Sequence, residues 1–300
     1  MTAPKPTIEV KISLELVQTL LKEFVPELGN EAIVMHSAGW DNEIFRVGQH
    51  HAVRLPRREL AAQLVEHEQL WLPTLAPELP VDVPVPIHAG LPAFGYPWSW
   101  SVVPWFNGMP LAHAPLHSGR VIEQLAAFGN AMHQIAPAEA PENPHRGGSL
   151  ATKTTLVHER LDGVTQGGLI DETESSKAKD VWDDLVHSPV WGGEPIWIHG
   201  DLHPLNVIYR AGRISAVIDF GDLCSGDPAT DLAIAWMLFD EDDRTTFRKA
   251  STINGKSVGI HTWNRARGWA MSLSLAYLAN SADDPTMRRL GQSTFRRALG

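Results

Sequence analysis

Among 300 residues there is one cysteine, Cys224. A single thiol forms no internal disulfide, so nothing here asks for an oxidising compartment. Long apolar runs are missing too. None approaches the roughly 20 residues of a membrane-spanning helix. The N-terminal M-T-A-P-K-P-T-I-E-V lacks the apolar centre of a signal peptide. These absences lead to the expectation of a cytoplasmic protein with no membrane partner. Excess positive charge is also absent, the formal net charge being −10 at pH 7. Such a surface repels phosphate backbones, which argues against a nucleic-acid partner. It suits cationic ligands, and equally it aids solubility. No internal repeat or low-complexity tract occurs.

What is present changes character along the chain. Residues 13–25, S-L-E-L-V-Q-T-L-L-K-E-F-V, show helical spacing behind Ser13 as N-cap. Residues 32–36, 43–47 and 51–55 read as a three-stranded meander, joined through S-A-G-W-D-N (37–42) and a turn at Gly48. A helix over 58–72 follows, then a proline-rich extended stretch over 81–87 and the apolar W-S-W-S-V-V-P-W-F at 98–106. Beyond it the spacing predicts helices over 118–135, 152–164 and 173–187. The loop 137–148, rich in proline and glycine, reads as exposed. Two short strands, N-V-I-Y (206–209) and I-S-A-V-I-D (214–219), come next, and from about 228 onward the pattern is helical. The whole reads as an α+β protein. A β-rich lobe over 1–103 meets a mainly helical lobe over 104–300, with a ligand crevice between them. Eleven tryptophans mostly serve the core, with some available to line a groove.

The chemistry gathers in I-W-I-H-G-D-L-H-P-L-N-V-I, residues 196–208. Asp201 and Asn206 are five apart, and Asp219 closes the strand I-S-A-V-I-D. Two acids and an amide supply hard oxygen ligands and one base, a set that suits Mg²⁺ better than zinc. Magnesium held by few protein groups shares its shell with substrate phosphates. D-x-x-x-x-N followed by D-F-G is a phosphoryl-transfer layout, with the first Asp as base and the Asn and later Asp as metal ligands. Zinc is the rival, because His199 and His203 are four apart. Gly200 and Pro204 oppose a helix there, and no glutamate sits between the histidines. His199 therefore reads as a structural residue that shapes the loop, and His203 as structural in preference to a place near the phosphates.

H-G-D-L-H-P-L-N, the strand pair and V-I-D-F-G-D, in this order and spacing, resemble the aminoglycoside phosphotransferase-like small-molecule kinases. That family has the protein-kinase-like two-lobe fold, with an antiparallel sheet and helix in the N-lobe and a mainly helical C-lobe. The resemblance implies Asp201 as the base on the acceptor hydroxyl, Asn206 and Asp219 as Mg²⁺ ligands, and ATP or GTP as donor. S-A-G-W-D-N sits where the family covers the phosphates, which implies backbone contacts around Ser37 and Gly39. H-A-V-R-L sits where the fold has a phosphate-pairing lysine. Arg54 stands there instead, and it stays charged. Its helix partner is Glu68, or Glu66 two residues away. S-V-V-P-W (101–105) takes the hinge position, with backbone near Ser101 and Val103 meeting a purine edge. S-G-D-P-A-T-D-L-A (225–233) also resembles the family, and Asp227 and Asp231 read there as structural acids near a helix start.

The implied acceptor is a small hydroxyl-bearing molecule. The acid run F-D-E-D-D-R (239–244), with Asp283 and Asp284, favours a cationic aminoglycoside. R-L-P-R-R-E (54–59) resembles macrolide phosphotransferases, and A-I-A-W-M-L-F (233–239) offers a macrolide an apolar wall. A metabolic alcohol or sugar is a third acceptor. Arg54 in the lysine position also motivates a non-catalytic nucleotide binder, against which the retention of Asp201, Asn206 and Asp219 argues.

Overall fold

The structure, a computed structural model, describes residues 8–39, 41–114 and 119–300. The N-terminal seven residues, Trp40 of the S-A-G-W-D-N turn and Ser118 at an expected helix start lie outside that set.

The first lobe opens with α1 (Leu14–Phe24). Ser13 caps it as expected, its Oγ accepting from the Leu16 N–H at 3.1 Å. A five-stranded antiparallel sheet follows: β1 (Ile33–Ala38), β2 (Asn42–Val47), β3 (His51–Pro56), β4 (His88–Gly90) and β5 (Trp100–Pro104), ordered β1-β2-β3-β5-β4. Strand alternation turns Phe45, Val47, Val53, Leu55 and Val102 to one face, where they pack with Val17, Leu20 and Leu21 of α1. Each such side chain contributes about 1.5–3 kcal/mol when fully buried. The opposite face carries Ser37, Ile44, Arg54 and Ser101, paired one to the next across four strands.

Between β3 and β4 runs α2 (Glu59–Leu75), which ends three residues later than expected and has Pro73 inside it. Proline forfeits a helical hydrogen bond. The helix continues because Trp71, Leu72 and Leu75 bury against the core of the second lobe. Val83 joins the same core, and Asp82 exchanges backbone hydrogen bonds with Ser215 and Val217. The segment 71–85 therefore ties the lobes together.

The second lobe contains β6 (Met109–Pro110), α3 (Gly119–Met132), α4 (Thr154–Gln166), α5 (Glu172–Val186), β7 (Ile196–Ile198), β8 (Val207–Arg210), β9 (Arg213–Val217), β10 (Cys224–Gly226), α6 (Ala229–Leu232), α7 (Ile234–Leu238), α8 (Glu241–Ala250), β11 (Thr252–Ile253), β12 (Lys256–Ser257), α9 (Ile260–Asn280) and α10 (Pro285–Leu299). α3 stops at Met132 rather than at 135, because the chain then pairs with the β7 strand at Ile196. β7 pairs with β10, while β8 lies between β6 and β9. The helical reading beyond 228 fails at one place, the β11–β12 hairpin. Asn254 and Gly255 turn it, both at positive φ, the usual chemistry of a tight hairpin. α9 is buried on most of its faces, with Trp269 at its centre. Among the described residues no helix is long and apolar enough to cross a membrane.

Candidate active site

β7 delivers the chain into His199-Gly200-Asp201, and the loop is held from below. Asp231 of α6 is 1% exposed, and its carboxylate accepts from the His199 N–H at 2.8 Å and the Gly200 N–H at 2.9 Å. His133 approaches the same carboxylate at 3.2 Å. Asp231 is structural, as expected, but as a staple on this loop rather than as a helix cap. Asp227 accepts from the Ala229 N–H at the start of α6, and it also forms a buried ion pair with Arg265. Gly200 sits at φ +82°, where a Cβ would meet the Asp222 carbonyl at 2.3 Å. Only glycine fits both demands.

His199 is fully buried. Its Nε2 lies 3.0 Å from the Ile218 carbonyl, its Nδ1 takes the Asp201 N–H at 3.3 Å, and Phe220 packs on its ring. Both ring nitrogens thus serve the loop, which leaves neither for zinc. His203 differs from the structural reading. Its Nδ1 accepts from the Leu205 N–H, but its Nε2 lies 3.4 Å from Asp201 Oδ2. It touches the candidate base directly.

Asn206 donates from Nδ2 to the Asp201 carbonyl at 3.0 Å, while its own carbonyl accepts from the Ile218 N–H. This places Asn206 beside the chain that leads to Asp219. The expected strand ends at Val217, two residues early, and Asp219 adopts left-handed backbone at φ +65°. Aspartate tolerates that region better than most residues. The Asp219 side chain is 53% exposed and accepts from Arg54 Nη2 at 3.2 Å. Arg54 Nη1 donates to both Glu68 oxygens at 2.6 Å. Glu68 is thus the partner; Glu66 accepts instead from the Ser99 hydroxyl. Burial works against the Arg54 charge, but Glu68 and Asp219 overcome it and raise its pKa.

Three expectations about the nucleotide face are altered. Trp105 N–H donates to the His50 carbonyl, so strand alternation makes Ser101/Arg54 and Val103/Ala52 the hydrogen-bonded pairs of β5 and β3. The backbones of Ser101 and Val103 are therefore engaged within the sheet, and a purine would meet their side-chain face. The Pro104 carbonyl points away from β3 and lies past the end of β4. Gly39 donates its N–H to the Asn42 carbonyl, closing the turn rather than leaving the group free. Arg57 and Arg58 of R-L-P-R-R-E pin this turn through the Gly39 carbonyl and the Asp41 carboxylate.

The loop 137–148 is not simply exposed. Arg146 reaches Asp201 Oδ1 at 3.2 Å and Asp222 Oδ2 at 3.3 Å, and Asn143 donates to Asp222 at 2.7 Å. Gly147 makes this approach possible, at φ +67° with its carbonyl accepting from the Asp227 N–H. Burial disfavours the Asp201 charge, but His203 and Arg146 hold its carboxyl well below the usual carboxylate range. Tyr277 of α9 closes the far side, its ring edge-on to His203 at 5.9 Å. Arg146, Asn143, Asp222 and Tyr277 escape the sequence reading. The second acid of D-F-G-D and an arginine set before Gly-Gly are the signals that were there.

A strand lobe and a helical lobe, with Arg54–Glu68 facing Asp219 and an H-G-D-x-x-x-x-N loop, define the two-lobe protein-kinase-like class. The structure resembles the GDP and kanamycin complex of APH(2")-IIia with a TM-score of 0.70, at 20% identity over 94% of this chain and 97% of that one. It resembles the macrolide 2'-phosphotransferase of Brachybacterium faecium with a TM-score of 0.63, at 19% identity over 94% and 97%. At such identities the likeness speaks for the fold. In sequence, an aminoglycoside 3'-phosphotransferase of Escherichia coli is 26% identical over 131 residues, 44% of this chain and 48% of that protein. The chain thus spans about half the length of the curated relatives it matches. The model of the APH phosphotransferase enzyme family matches residues 33–269. The chain belongs to that family.

Proposed function

We propose that this protein transfers the γ-phosphoryl group of ATP or GTP to a hydroxyl of a small molecule. One observation carries the reading: a single hydrogen-bonded loop system holds Asp201, Asn206 and Asp219 together at the Arg54–Glu68 pair. Residues 1–103 then act as the nucleotide lobe, with 71–85 lent to the second core, and 104–300 carry the acceptor.

Asp201 takes the acceptor proton as the new O–P bond forms and the bond to the β–γ bridging oxygen breaks. Its ionised carboxylate, steered by His203 and Arg146, faces one direction. Asn206 and Asp219 fit magnesium by donor chemistry, since one offers an amide oxygen and the other a half-exposed carboxylate. Bound there, the ion would neutralise phosphate charge. Arg54 would hold the inner phosphates, and positioning with charge compensation would supply most of the rate gain. The Pro104 carbonyl is the backbone group best turned toward a purine edge. Arg54 no longer favours a non-catalytic binder, because it makes the glutamate pair a lysine would make.

The relatives' names make aminoglycosides the first acceptors to test. The sequence features once aligned with specific drugs lend less. Asp240 caps α8 and Asp284 caps α10. Trp236, Met237, Leu238 and Phe239 are buried core, so they form no wall for a macrolide. Replacing Asp201 by alanine is expected to lower transfer roughly 10³-fold while nucleotide binding persists. A radiolabelled-nucleotide transfer assay checks this, and undiminished turnover sinks the assignment.

A further inference from the structure

Three cations stand on the loop that reaches Asp201 and on the helix that follows it: Arg146, Lys153 and Arg160. Arg146 is matched by Asp201 and Asp222. Lys153, at the entry to α4, donates to the Pro144 carbonyl at 3.0 Å, and its Nζ lies 5.9 Å from the centre of the Trp269 ring. Arg160 follows seven residues later, two helical turns on and on the same face. It is partly buried, and among the described residues its side chain makes no ion pair or hydrogen bond. The Pro144 carbonyl that Lys153 meets lies two residues before Arg146, so the α4 entry packs on the loop that reaches Asp201. Burial lowers the pKa of both Lys153 and Arg160, and Arg146 lowers both further.

The neighbouring carboxylates are committed elsewhere. Asp162 pairs with Lys179, Asp171 caps α5, Glu174 meets the Asp171 N–H and Arg296, and Asp227 holds Arg265. Glu142 and Glu159 are exposed. The same wall holds three buried polar atoms without a hydrogen-bond partner among the described residues: Arg146 Nε, Trp269 Nε1 beside Lys153 and the Tyr277 hydroxyl beside His203. Trp269 is 1% exposed. Partly buried cations without counter-charge are costly, so a site that keeps them gains by receiving an anion.

We propose that Arg146, Lys153 and Arg160 bind an anionic group, carboxylate or phosphate, carried by the acceptor, which is then a hydroxy acid or a hydroxyl-bearing phosphate ester rather than a polycationic aminoglycoside. The inference rests on Asp201 being the base of the phosphotransferase reading. The transfer step is unchanged: the acceptor hydroxyl gives its proton to Asp201, gains the phosphoryl group, and releases the nucleoside diphosphate. The cationic wall fixes which hydroxyl arrives there.

Titration calorimetry tests this on the full chain, with magnesium and a non-hydrolysable ATP analogue present at saturation. The probes share one sugar frame: glucuronate, glucose 1-phosphate, glucose and glucosamine, with kanamycin as a fifth. At least one of the two anions is expected to bind about tenfold more tightly than glucose or glucosamine. Which anion binds separates carboxylate from phosphate. The double variant Lys153→Met/Arg160→Gln is expected to lose that preference while keeping its melting temperature and its affinity for the analogue. Equal affinities across the sugars, no binding of either anion, kanamycin binding more tightly than both, or a preference that survives the double variant each overturns the proposal. The phosphotransferase reading fails on a different signal, namely no magnesium-dependent binding of the analogue to the wild type.

Discussion

A lysine at position 54 would offer a single ammonium to Glu68, whereas the guanidinium offers two separated donors. One nitrogen serves Glu68 and the other Asp219. Arg54→Lys is therefore expected to keep the buried pair and to stay within about 1 kcal/mol of wild-type stability. Arg54→Met leaves Glu68, 2% exposed, without its counter-charge, and is expected to cost about 3–5 kcal/mol. Urea unfolding of the two variants checks the difference. Gly200 is a second position where one atom decides. Gly200→Ala puts a methyl group into the Asp222 carbonyl. It is expected to cost more than ~2 kcal/mol and to displace Arg146 with Asp222. A melt combined with a transfer assay reads both effects.

Elements act here through the groups that tie them. α6 is a single turn, yet its Asp231 holds the loop after β7 by two backbone N–H groups. Asp231→Ala strands those donors in the interior, where each unmade bond costs about 1–3 kcal/mol. Faster amide exchange at residues 199–201 than elsewhere in the second lobe is the expected signature. The acids at the start of α8 behave differently. Asp240→Ala removes a cap and is expected to cost about 1 kcal/mol, with the acceptor KM unmoved. A shifted KM would return that run to the acceptor site. Helix α2 makes the same point about competition between terms. Pro73 argues for a stop, and packing of Leu72 and Leu75 on the second core carries the helix past it.

At the scale of the whole molecule, two hydrophobic cores are joined by segment 71–85 and by the Arg54–Asp219 contact. A ligand that binds only the folded protein stabilises it by mass action. Magnesium with a nucleotide at 100-fold its Kd is expected to add about 2.7 kcal/mol, and Asp219→Ala is expected to remove most of that gain. Melting temperatures with and without magnesium check it.

Much of this was legible in the chain. Hydrophobic periodicity marked most helices, the N-cap of α1 and the strands, because those signals are local. The five-residue spacing of Asp201 and Asn206, followed by Asp219, marked the proposed phosphoryl-transfer site, because such chemistry asks for particular residue types at short separations. Contacts between distant segments carried no local signature. Arg146 lies 55 residues from Asp201, and nothing in P-H-R-G-G-S says which acid it will meet. The strand register that turns the Ser101 and Val103 backbones toward β3 is likewise a property of the assembled sheet. The sequence by itself determined the two-lobe α+β pattern, the loop and the candidate groups on it. Only the tertiary structure decided where the charges around them fall, since charge balance at a site sums over elements that the chain brings together only on folding.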